Sequence, residues 1–513
     1  LKFLFVIRHG LYLRNYESVV RALARAGHRI EIAISDERTV DPTLLESLPA
    51  EHKEIEVVTA PDRTGWWWPG IDPLRAVRDY VRYLDPAYES APMLVERGGR
   101  RIPGAIRVVF ERFRPARSAG MRRAITAALD LVERSIPADL AFVGWLRERR
   151  PDAVLVTPLV DFNYLQLDLL KAARSLGIPT ALLVASWDNL TNKGAIQILP
   201  DLVTVWNTFQ QREAETMHNV PRERIVVTGA QLFDQWFAMR PGSTREAFCA
   251  PRGLDPARPI ILYLCSSSFI CPHEVPFVRR WLAAVRAHQD PVVSSANVLV
   301  RPHPAHAPQW SDVSLAEFGN VSIWPPAGAA PLDAERKQDY YDSLFHAACV
   351  VGVNTSGFLE AGILGRRTLS VRSPEFPQSQ EGTLHFRYLT SAGLVSLADE
   401  IVPHLAELAN VLRGEGAASG KIDCFIEEFL RPNGLATPCT PILASALERL
   451  AADKQREPLA PPFAAPLVRG LTFPVALLVR RFYLGRIARR PERVNIVPPP
   501  ARKADKEEAR AKL

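Results

Sequence analysis

Cys349-Val350-Val351-Gly352-Val353-Asn354-Thr355-Ser356-Gly357-Phe358-Leu359-Glu360-Ala361-Gly362 passes from an apolar run into a helix through a small polar turn. An unbroken apolar run suits a strand covered on both faces, as in a parallel sheet. Thr355 or Ser356 can cap the following helix, whose first free N–H groups and dipole favour a phosphate beside Asn354 and Gly357. Glu360 falls about one turn further in, where its carboxylate can accept from two vicinal ribose hydroxyls. An ordinary capped helix with Glu360 on its solvated face explains the same residues.

Upstream, Val298-Leu299-Val300-Arg301-Pro302-His303-Pro304-Ala305-His306 reads as a strand that ends in a cation, a rigid turn and two imidazoles. Ligands of open α/β sheets bind at such strand ends. Proline on both sides of His303 restricts the backbone, which suits a ring that must hold one orientation to touch a phosphate or move a proton. Arg301 has the charge to neutralise a diphosphate. A structural turn with surface histidines is the bland alternative.

The same alternation recurs along the chain. Residues 2–7 are apolar, residues 15–26 carry Val19, Val20, Leu23 and Ala24 at helical spacing, Gly27 suits a left-handed helix end, and residues 29–34 are apolar again, a β-α-β unit. Residues 153–157, 164–175, 180–185 and 202–205 continue it, with Gly177 at a helix end. A second start falls at Pro259, where residues 260–264 form a strand followed by Ser266-Ser267-Ser268, and later strands are expected at 298–300, 321–324, 349–353 and 368–371. Between residues 61 and 106 the pattern dissolves into aromatic and basic residues, including Trp66-Trp67-Trp68-Pro69-Gly70, Arg75, Arg78, Tyr80 and Tyr83, and reads as an insertion offering an interfacial or acceptor-binding surface. The expected division is 1–220 for a first α/β domain, 221–438 for a second, 439–456 for a crossover helix, and 457–513 for a Pro-rich, basic tail.

Length and composition bound this reading. At 513 residues the chain exceeds one ordinary core, and 47% hydrophobic with 23% charged is globular composition. The net charge of +7 is too mild and too concentrated near the C-terminus to indicate nucleic acid. The six cysteines show neither C-x-x-C nor zinc-type spacing and read as free thiols in a reducing compartment. No segment reaches the roughly 18 to 20 apolar residues of a spanning helix, and the opening run is strand-like rather than a signal peptide, so a cytoplasmic location is expected. A first residue of Leu points to a truncated start or an unusual start codon. A P-loop and a G-x-G-x-x-G are absent, against an NTPase or a dehydrogenase. D-x-D is absent too, which leaves a metal clamp without obvious ligands, so no metal and no cofactor beyond an activated donor are expected.

An apolar strand ending in R-P-H-P, followed by N-T-S-G-x-x-E-A-x-x-L-G, resembles the second domain of the superfamily that joins GT-B glycosyltransferases, CDP-glycerol glycerophosphotransferases, capsule polysaccharide transferases and UDP-GlcNAc 2-epimerases. Residues 224–234, with Gly229 and Asp234, are similar to that superfamily's approach to the second domain. The resemblance covers residues 200–400 well and the N-terminal half only through its β-α-β start. It implies two facing Rossmann-like α/β domains, with Arg301 and His303 against the donor phosphates, Thr355 and Ser356 on the diphosphate, and Glu360 on the ribose.

Ser186-Trp187-Asp188-Asn189-Leu190-Thr191-Asn192-Lys193-Gly194 resembles a loop of bacterial capsule-type transferases. Asp188 is a candidate general base for an acceptor hydroxyl, with Asn189 orienting and Lys193 near a phosphate, although a turn and helix cap accounts for the same letters. His9, followed by Gly10 at the first strand's end, is a rival base; a satisfied turn residue is its plainer reading. His385, near Glu381 and Arg387, reads no differently from a surface histidine. The implied activity is transfer of a sugar or an alditol phosphate from a nucleotide-diphosphate donor to a glycan or lipid-linked acceptor in cell-envelope polysaccharide synthesis. The alternatives are a UDP-sugar 2-epimerase, for which no convincing carboxylate pair is found, and a non-catalytic nucleotide- or glycan-binding scaffold.

Residues 467–490 mix Arg469, Arg480, Arg481, Arg486, Arg489 and Arg490 with Leu471, Phe473, Val475, Leu477, Leu478, Phe482, Tyr483 and Leu484. This stretch suits a bilayer interface or a helix docked on the first domain, and Pro474 is expected to interrupt it. Residues 503–513 read as a solvated mixed-charge run.

Overall fold

The computed structural model describes residues 1–34, 42–162, 164–326, 328–415, 419–453 and 456–487. Residues 503–513, Arg489 and Arg490 lie outside the described residues. Two parallel sheets organise the chain. The first holds β1 (Lys2–Ile7), β2 (Arg29–Ile34), β3 (Ile55–Thr59), β4 (Ala153–Thr157), β5 (Thr180–Leu183), β6 (Leu202–Val205) and β7 (Ile225–Val227), in the order β3-β2-β1-β4-β5-β6-β7. The second holds β8 (Ile260–Leu264), β9 (Asn297–Arg301), β10 (Val321–Ile323), β11 (Cys349–Val351), β12 (Arg367–Val371) and β13 (Val395–Ala398), in the order β10-β9-β8-β11-β12-β13. Each sheet reverses its strand order once, between β1 and β4 and between β8 and β11, which places a crevice at the carboxyl ends of those strands.

The apolar runs are buried as continuous strands. Phe3, Phe5 and Ile7 of β1 face one layer of helices while Leu4 and Val6 face the other. The helix Glu17–Arg25 buries Val19, Val20, Leu23 and Ala24, and Gly27 ends it at φ +80°. Burial of each such Val or Leu contributes about 1.5–3 kcal/mol, so the repeated β-α-β pattern specifies both sheets.

Three sequence expectations change. The first sheet extends past residue 220, because β7 pairs with β6; Gly229 follows at φ +83°, where a Cβ would sit 2.3 Å from Cys439 Sγ. The insertion is helical and longer than residues 61–106: helices Trp68–Tyr83, Pro92–Gly99, Gly104–Arg112, Ala119–Ser135 and Leu140–Arg149 lie between β3 and β4. Its periodicity was hidden because ion pairs occupy positions that apolar residues would normally fill. Arg75, 2% exposed, donates to Glu133 through Nε (2.8 Å) and Nη2 (3.0 Å) and to Asp168 (2.5 Å), while Lys171 also binds Glu133 (2.8 Å). Finally, Pro474 does not break the tail: the helix Ala465–Ile487 runs through it at the loss of one backbone hydrogen bond.

The helix Cys439–Ala452 returns to the first sheet. Leu443, Leu447 and Leu450 share a core with β1, and Asp234 accepts from the Cys439 and Thr440 N–H groups (3.0 and 2.7 Å). The tail helix packs one side on helices Trp68–Tyr83 and Ala119–Ser135: Phe473 stacks on Trp66 at 4.8 Å between centroids, and Arg469 donates to Ser135 O (2.6 Å). Trp66 and Trp67 are therefore engaged by the tail rather than offered as a free aromatic surface.

Candidate active site

A cavity of about 210 Å³ opens between the two sheets at the carboxyl ends of their strands. The turn after β5 contributes Trp187, Asp188 and Asn192; the second sheet contributes His303 after β9, Asn354, Thr355 and Ser356 after β11, and His385 beyond β12. Five of the residues singled out in the sequence, Asp188, His303, Asn354, Thr355 and Ser356, thus meet around one space.

The Asp188 loop is braced from below. Asn189 Oδ1 accepts from Ala185 N (3.1 Å), and Gln210 Nε2 donates to Ser186 O (3.0 Å). From the insertion, Arg82 donates to Leu190 O (2.8 Å), Tyr88 to Thr191 O (3.1 Å), and Tyr83 to Asn192 O (2.9 Å) and Lys193 O (2.6 Å). Burial works against the Asp188 anion, yet His385, Lys193 and the Ser186 hydroxyl hold its carboxyl below the ordinary carboxylate range. Lys193 acts here on Asp188 through its charge and does not line the cavity.

His385 is 5% exposed, not a surface histidine. Its ring packs edge-on to Trp187 (4.3 Å between centroids), and Asn192 Nδ2 donates to its Nδ1 (3.0 Å). Burial, only partly offset by Asp188, pushes it down to about 4, so the ring is neutral with its proton assigned to Nε2. Nothing near His385 in the sequence signals this, because its place depends on how the two sheets face one another.

On the opposite wall, His303 Nδ1 accepts from Ala305 N (3.2 Å). Burial, with His306 and Arg14 nearby, pushes its imidazole down to about 4. A neutral ring with Nδ1 occupied carries its proton on Nε2 and offers a donor to the cavity, not a base. Thr355 Oγ1 accepts from Gly357 N (3.3 Å), whereas Ser356 makes no side-chain cap and stays exposed. Asn354 is a tether: its Nδ2 donates to Gln380 O (2.8 Å) and Thr383 Oγ1 (3.3 Å). Gly352 has no room for a side chain, since a Cβ would lie 2.7 Å from Leu264 O, and a Cβ at Gly357 would meet the Leu264 side chain at Cδ1 (2.5 Å).

Arg301 is placed differently from the sequence expectation. It is 5% exposed, paired with Asp339 (2.8 Å), bonded to Ser343 Oγ (2.9 Å) and stacked over Tyr340, and it does not line the cavity. Its charge is answered inside the second domain. His9 also lies off the cavity, against Tyr12 (4.6 Å between ring centroids). Glu360 is half-buried and, like Arg301 and His9, does not line the cavity; its Oε2 is buried without a hydrogen-bond partner, and burial, partly offset by its own backbone and Arg14, raises the carboxyl to about 7. Arg14 belongs to the first domain, in the turn Gly10–Asn15, yet its charge bears on both His303 and Glu360. It carries no motif, so the sequence alone does not mark it.

Among the described residues no group of three or more His, Cys, Asp or Glu side chains is arranged to hold a metal ion.

No protein-family model matches the chain, and no curated protein sequence is significantly similar to it. Solved structures are similar at the level of fold. A glycosyltransferase from Rickettsia africae aligns at TM-score 0.50 and 11% identity, over 88% of this chain and 98% of that one. A putative UDP-N-acetylglucosamine 2-epimerase from Listeria monocytogenes aligns at TM-score 0.49 and 14% identity, over 89% and 98%. UDP-GlcNAc 2-epimerase from Neisseria meningitidis, bound to UDP-GlcNAc, aligns at 0.48 and 12%, over 87% and 100%. Two doubly wound domains facing across a cleft make the GT-B fold, and this chain has that fold.

Proposed function

We propose that the chain is a GT-B type transferase that moves a sugar, or an alditol phosphate, from a nucleotide-diphosphate donor to a hydroxyl of a glycan or lipid-linked acceptor in cell-envelope polysaccharide synthesis. The observation that carries this reading is the meeting of the Asp188 carboxylate, from one domain, with the Thr355 turn and His303, from the other, around one cavity. Asp188 takes the acceptor proton as the acceptor oxygen bonds to the transferred group and the bond to the donor's diphosphate oxygen breaks. The charge that develops on the leaving group, a nucleoside diphosphate in sugar transfer or a nucleoside monophosphate in alditol-phosphate transfer, is met by His303 Nε2–H, the Thr355 hydroxyl and the N–H groups of that turn, a metal-independent arrangement. Glu360, its Oε2 unpartnered, accepts from the ribose hydroxyls.

The experiment is a melting-temperature panel with UDP, CDP, GDP, CMP and their sugar or glycerol conjugates, with and without Mg²⁺. One nucleotide is expected to raise the melting temperature without metal, and Glu360→Ala to abolish the rise. Since Glu360 titrates near 7 and accepts best as the anion, affinity for that nucleotide should strengthen as pH rises through about 7. A panel with no shift at all sinks the donor reading.

The acceptor side of the proposal includes an anionic membrane surface on the inner face. No described helix is long and apolar enough to cross a membrane. The tail helix instead exposes Leu467 (67%), Leu471 (70%), Val475 (59%) and Leu478 (58%) on the side away from Trp66, and residues 458–490 contain arginines but no acidic residue. Co-sedimentation with phosphatidylglycerol vesicles should fall at least about tenfold in Leu471→Glu/Val475→Glu, because charged groups replace apolar ones at the interface. Equal sedimentation of both proteins refutes the membrane contact.

A further inference from the structure

A second, larger cavity of about 890 Å³ lies in the first domain, between the insertion and the segments that follow β5 and β6. Its composition is unusual. Arg78, Arg82, Arg122, Arg123, Arg134, Arg174 and Arg224 line it, against the carboxylates of Asp85 and Asp130 alone. Those two acids are already committed, Asp85 to Arg122 (2.7 Å) and Asp130 to Arg78 (3.3 Å), and Arg174 pairs with Asp201. Arg82, Arg123, Arg134 and Arg224 have no carboxylate partner among the described residues. Arg123 and Arg134 have no hydrogen-bond partner there either.

The helix Ala119–Ser135 explains how the charge is concentrated. Arg122, Thr126, Asp130 and Arg134 recur every four residues with Arg123 beside them, so one face of that helix turns cationic groups toward the cavity, with Arg123 and Arg134 exposed. Guanidiniums at this density repel one another and lower the stability of the empty fold unless anions join them.

We propose that this cavity binds an acidic oligosaccharide, a chain of sugar units bearing two or more carboxylate or phosphate groups. The volume fits a ligand of several rings rather than a lone inorganic anion. The polar groups between the arginines, Thr126, Gln197, Thr216 and Asn219, suit sugar hydroxyls. A nucleotide is disfavoured because the aromatic groups of the wall are already engaged: Tyr88 packs on Tyr83 (5.0 Å between centroids) and donates to Thr191 O, and His218 contacts Leu190 O (2.7 Å) and accepts from Ile196 N (3.1 Å). A flat bilayer does not enter a concave site. This site shares no lining residue with the donor cavity, and the inference does not depend on the donor reading.

The test is calorimetric titration of the full chain with hexagalacturonate, with a neutral oligosaccharide of equal length, and with tripolyphosphate. Hexagalacturonate should bind one to one, more weakly as salt rises, and Arg123→Glu/Arg134→Glu should weaken it at least about tenfold. Neither side chain holds the fold together and both repel their neighbours, so the unliganded melting temperature should not fall; Arg123→Gln/Arg134→Gln, which removes charge without reversing it, provides the control and should weaken binding less. Equal binding of the neutral chain, equal binding to the variants, binding of tripolyphosphate alone, or no binding overturns the proposal.

Discussion

Asp188→Asn is expected to lower turnover by about 10²–10⁴-fold, the usual worth of a positioned general base, while the nucleotide-induced rise in melting temperature survives. The two readouts separate because Asp188 stands on the first domain's wall and the proposed donor contacts stand on the second's. The substitution is nearly isosteric, and the loop keeps its supports from Asn189, Gln210, Tyr83 and Tyr88. Nucleotide release is the assay, with the melting shift run in parallel. Retention of turnover within about threefold would remove Asp188 from the role of base, since a general base contributes far more, and would direct attention to its neighbour His385.

The second large effect concerns stability. Arg75→Ala should destabilise the protein by about 3–5 kcal/mol, because it leaves the Glu133 and Asp168 carboxylates buried with an incomplete complement of cations. Burial opposes the Glu133 anion, but Arg75 and Lys171 override it and hold the group well below the usual carboxylate range. A carboxylate depressed in the folded state contributes stability above its unfolded pKa and loses it as pH falls toward the folded one. The wild type should therefore lose this contribution below about pH 4.5, and Arg75→Ala should show a smaller dependence over the same range. Denaturant melts across that range are the measurement; equal midpoints for the two proteins would mean that the network is energetically neutral.

Where chemistry follows from short-range pattern, the sequence was readable. The apolar runs at residues 2–7, 260–264 and 298–300 fall in strands, Gly27 and Gly177 adopt positive φ, and the polar turns after the strands lie at the crevice. It was unreadable where a residue's surroundings come from distant segments. Arg301 resembles a phosphate ligand by its place at a strand end, but Asp339 claims it from the helix Ala334–His346. His385 has no local pattern and is placed by Asn192 and Trp187 of the other domain. The insertion concealed its helices because Arg75 and Glu133 are inside, and a hydrophobicity pattern scores buried charges as surface.

The insertion also touches the second domain. Tyr83, Tyr88 and Leu94 share an apolar cluster with Leu384, Arg97 lies over Phe269 at 5.0 Å, and Arg387 reaches Ser90 Oγ (3.1 Å). In a clamshell enzyme two lobes joined only at the spine open freely, and the rate of opening commonly limits how fast product leaves. Here the insertion adds to the other ties between the lobes: the linker, the returning helix Cys439–Ala452, and pairs such as Lys337–Glu17 (2.9 Å) and Tyr388–Glu213 (2.7 Å). The insertion also grips the Asp188 loop through Tyr83 and Tyr88, so the segment that ties the two lobes on this side is the same one that fixes the position of Asp188.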